Sequence, residues 1–210
     1  MNVFTNESRA EALRQAREMP LSALNGRDGA FAPLLLAVLG GWRDVASVLI
    51  SRGVDLDVEI QGLDGVTALS LVVCNGWKAE CAQMLARGCR RGIDYALHVV
   101  GASREIAEML IEAGANPRAR MPDGDTPLHR VTAPEVVQLL VGLGADVNAV
   151  NESGSTPLMR VAVVHWPLRS ALGTVIALYT VFSLLISATP TRHVEAVQNL
   201  ARAAAKLQSP

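Results

Sequence analysis

Lysine is almost absent from this chain. Lys78 and Lys206 are its only lysines among 19 basic residues, so the other basic residues are arginines. Aromatic residues are also scarce, at 4%, and the formal net charge is only −1. A protein held to nucleic acid or to an anionic membrane by its overall field carries a strong net positive charge. The composition therefore does not indicate nucleic acid as a partner.

Cysteine is too sparse, and too irregularly spaced, for a metal site or a disulfide framework. Cys74, Cys81 and Cys89 are seven and eight residues apart, and His98 follows nine residues later. These gaps do not match zinc-ligand spacing, and an odd number of cysteines cannot all pair within the chain. We therefore expect buried free thiols in a reducing compartment. The N-terminus lacks a signal-peptide pattern, which predicts a cytoplasmic location.

Motifs that carry chemistry are missing as well. The sequence has no glycine-rich phosphate loop, no pair of histidines at metal-binding spacing and no nucleophile elbow. Apolar residues nevertheless reach 50%, which is too high for a disordered chain. We predict a folded, non-enzymatic protein without a cofactor.

The clearest pattern in the sequence is the stretch 123–157. Thr126 is a helix-capping residue followed by Pro127 at the first helical position, and Leu128 and His129 continue that helix. A second apolar helix follows, and Gly144 is placed to end it in a left-handed conformation. The spacing therefore predicts a turn and two short helices.

Thr126-Pro127-Leu128-His129, followed by Gly144-Ala145-Asp146-Val147-Asn148, resembles an ankyrin repeat. The resemblance implies an all-α solenoid of stacked helix-turn-helix units, with short β-turn or hairpin loops and helical caps. It also implies that His129 bonds within and between repeats, with Thr126 as its partner inside the repeat. Thr67 and Thr156 are followed by Ser70 and Met159 at the histidine position, so we expect those two repeats to lack the full bond network.

Weaker copies of the pattern surround this stretch. Gly41 and Gly76 are 35 residues apart, as are Gly53 and Gly88, whereas Gly114 and Gly144 are only 30 apart. The late repeats are shortened at the junction between their two helices. We predict an array over 26–165, with repeats at 26–62, 63–92, 93–121, 122–151 and 152–165 onward.

Both ends of the chain differ from the repeats. Residues 1–25 predict a polar N-terminal capping helix. Residues 166–210 predict an apolar helix and then an amphipathic one, and the run 170–188 has no charge. That run is long enough to cross a bilayer, but its glycine, serine and threonine residues also suit packing against protein. Both interpretations stay open, and the second keeps 166–210 as a cap on the array.

The predicted function is protein binding, because the resemblance implies recognition through an extended concave face. The residue that follows the tetrapeptide is apolar in the early repeats and arginine in the late ones: Leu36, Leu71, Val99, Arg130 and Arg160. The turn between the third and fourth repeats adds two more arginines, Arg118 and Arg120. These residues are our candidate contacts for a partner segment that carries both apolar and acidic residues. The alternative is that Arg130 and Arg160 pair with Asp125 and Glu152 or only keep the array soluble.

A second function class follows from the uncharged run. In this alternative, the chain is a membrane-anchored ankyrin protein that uses 170–188 as a transmembrane helix. Positively charged residues are similar in number on the two sides of the run, so the positive-inside rule does not predict which end of such a helix would face the cytoplasm. Its location would then be membrane-associated.

Overall fold

The computed structural model describes residues 9–25, 32–60, 62–63 and 65–160. The predictions for 166–210, including the run 170–188, lie outside this part of the chain. Within it, the backbone forms helices joined by turns, with an isolated antiparallel bridge between Glu59 and Thr67. The predicted all-α architecture is confirmed.

The chain divides into two compact units, Met1–Ala119 and Arg120–Pro210. The described helices of the first unit are α1 (Arg9–Glu18), α2 (Leu21–Leu24), α3 (Pro33–Leu39), α4 (Arg43–Arg52), α5 (Ala68–Cys74), α6 (Lys78–Ala86), α7 (Ile93–His98) and α8 (Arg104–Glu112). Those of the second unit are α9 (Pro127–Arg130) and α10 (Pro134–Gly142). Residues 157–160 are also helical. The predicted repeat boundaries themselves stay predictions.

The first unit has two layers of helices. In one layer α1 packs on α4, α4 on α6 and α6 on α8, and in the other α3 packs on α5 and α5 on α7. Helices of the same repeat also pack across the layers, as α5 does on α6. Leu49, Leu69, Met84 and Leu97 are among the fully buried side chains between these helices. Because each helix is buried by its neighbours in the stack, the repeats stabilise one another.

Proline and glycine set the helix ends that the motif predicted. Pro127 lies in the first turn of α9. Gly144, just after α10, has φ +78°, and Gly53 after α4 has φ +83°. Residues with a Cβ rarely adopt this left-handed conformation, so glycine is the natural helix stop.

The first helix of each repeat shortens along the chain, while the second helix does not. The first helices α3, α5, α7 and α9 have 7, 7, 6 and 4 residues. The second helices α4, α6, α8 and α10 have 10, 9, 9 and 9 residues. The residues missing from the late repeats therefore come from the first helix and its junction, as the spacing predicted.

Charged side chains connect successive helices of the α1, α4, α6 and α8 layer at both ends. At the N-terminal ends, ion pairs join Arg9 to Asp44 at 3.0 Å, Arg43 to Glu80 at 2.9 Å and Lys78 to Glu105 at 3.9 Å. At the C-terminal ends, Arg52 donates to the Ala16 carbonyl at 2.7 Å, and Arg87 donates to the Ser51 carbonyl at 2.8 Å. A guanidinium suits this task because it is planar and has five N–H donors.

Candidate partner-binding surface

His129 anchors the Thr126-Pro127-Leu128-His129 tetrapeptide of the second unit from a buried position. The Thr126 N–H donates to His129 Nδ1 at 3.1 Å, and Thr126 Oγ1 lies 2.9 Å from the same nitrogen. On the other side of the ring, His129 Nε2 lies 3.0 Å from the Ser155 carbonyl oxygen, 26 residues further along the chain. The predicted bonds within and between repeats are therefore confirmed, and His129 has a structural role.

Burial is the main influence on the charge of His129. Removal of the ring from water lowers its pKa, although the hydrogen bond to the Ser155 carbonyl acts in the opposite direction. A neutral ring with its proton on Nε2 fits both sets of contacts, because Nδ1 can then accept from Thr126 while Nε2 donates to Ser155.

The prediction for Ser70 is wrong, because this serine completes a bond network without a histidine. The Thr67 N–H donates to Ser70 Oγ at 2.9 Å, and the Ser70 N–H donates to Thr67 Oγ1 at 3.3 Å. Thr67 Oγ1 also donates to the Arg91 carbonyl at 3.3 Å, which connects it to the following repeat. A serine hydroxyl is short but can both donate and accept, so it replaces the near side of the imidazole. At the last repeat, the Met159 N–H donates to Thr156 Oγ1 at 3.4 Å.

Arg130 and Arg160, two of the candidate contacts, meet at a buried carboxylate in the second unit. Arg130 Nε donates to Asp125 Oδ2 at 3.0 Å, and Arg160 Nη2 lies 3.4 Å from the same oxygen. Arg130 Nη2 also donates to Asp123 Oδ2 at 2.7 Å. Asp125 is fully buried, whereas the side chains of Arg130 and Arg160 remain 30% and 40% exposed. Arg130 and Arg160 thus both pair with Asp125, as the alternative to partner binding in the sequence analysis expected.

The loop carboxylates of this cluster are themselves bonded locally. Asn151 Nδ2 donates to Asp125 Oδ1 at 2.8 Å, and the Asp125 N–H donates to Asp123 Oδ1 at 3.1 Å. Burial acts to raise the pKa of Asp123, but the Asp125 N–H and the Arg130 guanidinium outweigh it and lower that pKa. The lowered pKa favours the charged form of Asp123, which holds the Arg130 guanidinium in place.

Arg120 belongs to the same neighbourhood, since its Nη1 donates to the carbonyls of Gly124 at 3.1 Å and Val150 at 2.9 Å. Its charge adds to those of Arg130 and Arg160, which gives three guanidinium groups near two aspartates. Arg118 lies in the first unit, where it is exposed and its N–H donates to Asn116 Oδ1 at 2.9 Å. We call Arg120, Arg130, Arg160, Asp123 and Asp125 the arginine cluster.

The apolar candidates Leu36, Leu71 and Val99 all lie in the first unit, and each is half-buried. Leu36 and Leu71 belong to α3 and α5, whereas Val99 is the residue that ends α7. Each of them keeps some surface in contact with solvent, so part of each side chain is open to a partner. Their role in binding stays a prediction.

Cys74 is not the buried thiol that we expected. It is exposed at the last residue of α5, while Val72 and Val73 beside it are buried. Cys81 and Cys89 are buried, as expected, and burial raises the pKa of Cys81 to about 11 and that of Cys89 to about 12. Although α5 packs against α3, α6 and α7, the side chain of Cys74 at its C-terminal end stays exposed.

Among the described residues, no group of three or more histidine, cysteine, aspartate or glutamate side chains is placed to hold a metal ion. In the same part of the chain, no helix is long and apolar enough to cross a membrane. The run 170–188 lies outside the described residues, so the membrane-anchored alternative stays a prediction.

Sequence reasoning missed one feature of the first unit, a shortened connection between repeats. The second helix of one repeat reaches the first helix of the next through 15 residues at 53–67, but through only six at 87–92. The signal was present in the leucine spacing: Leu49 and Leu69 are 20 residues apart, whereas Leu85 and Leu97 are 12 apart. This shortening is at the connection between repeats, not at the junction within one.

Comparisons with known proteins agree with this geometry. The ankyrin repeat family profile matches residues 123–152, the segment that contains α9 and α10. Over 105 residues the chain is 35% identical to ankyrin repeat and SOCS box protein 11 of Danio rerio. That match covers 46% of this chain and 34% of the relative, so the chain spans only about a third of the curated relative that it matches. Together with the paired helices and the bond network of His129, these matches identify the chain as an ankyrin repeat protein.

Proposed function

We propose that this protein is a non-enzymatic protein-interaction module that recognises a partner segment with both acidic and apolar residues. The arginine cluster is the observation that carries the acidic part of the proposal. Three guanidinium groups surround two carboxylates there, so the cluster has an excess of positive charge. Arginine is well suited to carboxylate recognition because its fork can donate to two oxygens at once.

Ion pairing inside the cluster supports recognition in one respect. Asp125 is buried and holds Arg130 through Nε, so the guanidinium is already ordered before a partner arrives. An ordered side chain loses less conformational entropy when it binds. Asp123 and Asp125 already bond the Arg130 guanidinium and compete with a partner carboxylate for its N–H groups. Arg160, which is 40% exposed and contacts only Asp125 among the described carboxylates, is therefore a better contact for the partner than Arg130.

The apolar part of the proposal belongs to the first unit. Leu36, Leu71 and Val99 are half-buried there and follow the tetrapeptide position of three successive repeats. We propose that they provide apolar contact area, and that Arg118 adds a cation at the end of the same unit. The expected partner is another protein.

Affinity purification with quantitative mass spectrometry tests this function. Arg160→Gln removes one cation from the arginine cluster. Arg160 makes the longer of the two contacts with Asp125, at 3.4 Å, and in this variant Arg130 still pairs with Asp125 at 3.0 Å. Arg104→Gln is the matched control, because Arg104 is exposed in the first unit and pairs with Glu108 four residues away. We expect partners to be depleted with Arg160→Gln and retained with Arg104→Gln.

Two outcomes would contradict different parts of the proposal. If the same partners are recovered equally with wild type and with Arg160→Gln, the arginine cluster is not the recognition surface. If wild type enriches no protein over a control matrix, the interaction-module function itself is wrong.

A further inference from the structure

Two segments of the second unit are joined to a large extent by polar contacts. We call residues 120–130, which contain the turn and α9, the turn segment. We call residues 150–160, which contain the end of the loop after α10 and the helical residues 157–160, the docking segment. Within the docking segment Leu158 is buried, but Val150 and Met159 are 49% and 43% exposed. The position of the docking segment therefore depends strongly on hydrogen bonds and charge.

The backbones of the two segments approach each other closely at Gly124. A Cβ atom on this residue would lie 2.9 Å from the Glu152 backbone nitrogen, and the Glu152 N–H donates to the Asp123 carbonyl at 3.0 Å. The Ser155 carbonyl of the docking segment lies 3.0 Å from Nε2 of His129. These contacts join neutral groups, so they position the docking segment without using its charge.

The Asp125 carboxylate joins the two segments through charge. It is fully buried in the turn segment, where its Oδ1 accepts from Asn151 Nδ2 at 2.8 Å and its Oδ2 lies 3.4 Å from Arg160 Nη2. Both Asn151 and Arg160 belong to the docking segment. The Asn151 side chain also folds its own loop, because its Oδ1 accepts from two backbone N–H groups further along. Asp125 therefore holds the docking segment at two separate places.

Two arginines from different segments share one oxygen of this carboxylate. Arg130 of the turn segment donates to Asp125 Oδ2 through Nε at 3.0 Å, and Arg160 of the docking segment contacts the same atom. Both guanidinium groups stay charged, so they would repel each other at this short separation without the carboxylate. Asp125 thus attracts the docking segment and also removes a repulsion that acts to separate the two segments.

We propose that Asp125 is a latch that holds the docking segment on the turn segment, and that the arginine cluster is complete only while this latch is closed. When the docking segment opens, Arg160 moves away with it and Arg130 stays with the turn segment. Local opening is expected where a segment buries little apolar surface. A partner that contacts both arginines binds the closed state and therefore stabilises it. The latch itself is independent of any partner, whereas its effect on recognition rests on the proposed interaction-module function.

Hydrogen–deuterium exchange of the full chain, read by mass spectrometry of its peptides, tests the latch. Asp125→Asn keeps the size of the side chain but replaces one acceptor oxygen with an NH2 group, which then faces a donor of either Arg130 or Asn151. Asp146→Asn is the matched control. It removes the same charge from an exposed aspartate of the same unit, whose Oδ1 accepts from the Asn148 N–H at 2.9 Å. Peptides from 151–160 report on the docking segment, and peptides from α10 report on the rest of the unit.

We expect the amides of 151–160 to exchange about tenfold faster in Asp125→Asn than in wild type, as for the loss of one hydrogen bond to a charged group. Exchange of α10 should stay at the wild-type rate. Asp146→Asn should match wild type in both regions. Arg160→Gln leaves Asp125 paired with Arg130, so it should accelerate 151–160 by a smaller factor.

The latch is overturned if 151–160 exchanges at the wild-type rate in Asp125→Asn. It is also overturned if α10 accelerates by the same factor, because Asp125 would then stabilise the whole unit and not one segment. Circular dichroism checks that the variants are folded. If Asp125→Asn is not, Arg160→Gln decides, and an unchanged exchange of 151–160 in that variant refutes the latch.

A partner from the purification described above tests the effect on recognition. Its recovery should fall with Asp125→Asn and be retained with Asp146→Asn. If recovery is equal with Asp125→Asn and wild type while 151–160 exchanges faster, docking does not control recognition, although the interaction-module function stands. If wild type enriches no partner, that function is wrong, and the exchange measurement still decides the latch.

Discussion

The Nε2 atom of His129 lies 3.0 Å from the carbonyl oxygen of Ser155, and this contact connects two successive repeats of the second unit. The same ring accepts the Thr126 N–H through Nδ1. One buried imidazole therefore joins the start of its own helix to the loop 143–156, which follows α10. The histidine of the tetrapeptide has its structural role because it has two nitrogens on opposite sides of a rigid ring.

This arrangement predicts that acid destabilises the fold through His129. Burial lowers the pKa of His129 in the folded state, so as the pH falls below about 6.5 the unfolded chain takes up a proton before the folded chain does. The stabilisation is complete above the unfolded-state pKa and is lost as pH falls towards the folded-state pKa. Urea unfolding at pH 7.5 and pH 5.5 measures the loss. His129→Ser is the control, because it should flatten the pH dependence, and an equally steep dependence in this variant contradicts the assignment.

We also expect the His129→Ser substitution to lower the stability of the fold at pH 7.5. Ser70 shows that serine can complete the near side of the network, so the bonds to Thr126 should largely survive. The Ser155 carbonyl loses its donor, and the volume of the ring is left empty. We expect the free energy of unfolding to fall by about 2 kcal/mol. Ser70→Ala provides a comparison at the matching position. A change below the error of denaturant unfolding would show that the inter-repeat bond contributes no stability.

Alanine substitutions at two glycines separate backbone strain from steric contact. Gly62 and Gly65 have nearly equal φ angles, +82° and +80°, but a Cβ atom has no neighbour within 4 Å at Gly62 and meets Tyr95 at 2.8 Å at Gly65. Gly62→Ala should cost about 1–2 kcal/mol from the left-handed backbone alone. Gly65→Ala should cost about 1–3 kcal/mol more because the ring must move. Thermal unfolding measures both variants, and the excess should shrink in a Tyr95→Ala background. Equal costs would mean that Tyr95 does not occupy this space.

Thiol labelling tests the placement of the three cysteines. Cys74 is exposed, whereas Cys81 and Cys89 are buried with raised pKa values, so only Cys74 should react quickly in the native protein. Iodoacetamide at pH 8 followed by mass spectrometry should find one modified cysteine per folded chain and three after denaturation. Cys74→Ser should remove the fast reaction. Cys89 Sγ also donates to Asp57 Oδ1 at 3.3 Å, and fast modification of Cys89 in the native protein would show that this contact is not maintained.

A last prediction concerns the ion pair between Arg43 and Glu80. Glu80 is buried, and its Oε2 has no hydrogen-bond partner among the described residues, so Arg43 is the cation that compensates its charge. Arg43→Met leaves a buried carboxylate without this partner and should destabilise the fold. The double variant Arg43→Met with Glu80→Met should be more stable than Arg43→Met alone. Chemical denaturation of the single and double variants measures the coupling, and a double variant that is the least stable would refute this account.

Several features were readable from local sequence because they depend on local chemistry. Thr126-Pro127 and Gly144 specified where helices begin and end, since capping and a left-handed backbone involve only neighbouring residues. Aspartates at the turns also bond as their spacing implied: Asp55, Asp123 and Asp146 each accept a backbone N–H from two residues further along. The shortened junction of α9 was visible as a changed leucine spacing.

Other features were not readable, because they depend on which residues meet in space. The sequence offered both Asp125 and Glu152 as partners for the late arginines, and only the packing of the loops brought Arg130 and Arg160 to Asp125. Cys74 was expected to be buried because cysteine usually is, but its place at the C-terminal end of α5 leaves it exposed. The bond that joins this repeat to the next was missed because Thr67 Oγ1, and not the residue at the histidine position, donates to the Arg91 carbonyl 24 residues away.

By itself, the sequence determined the unit of construction: two short helices, a glycine stop and a turn, repeated along the chain. Periodic apolar residues and capping residues are sufficient for this because each repeat is built from contacts close in sequence. Tertiary structure alone decided how the repeats differ on their surfaces. Tyr95 packs on Gly65, and a single buried aspartate, Asp125, contacts two arginines. The contacts of Gly65 with Tyr95 and of Asp125 with Arg160 join residues that are 30 and 35 positions apart. The distance between such side chains is set by the stacking of helices and cannot be read from either residue alone.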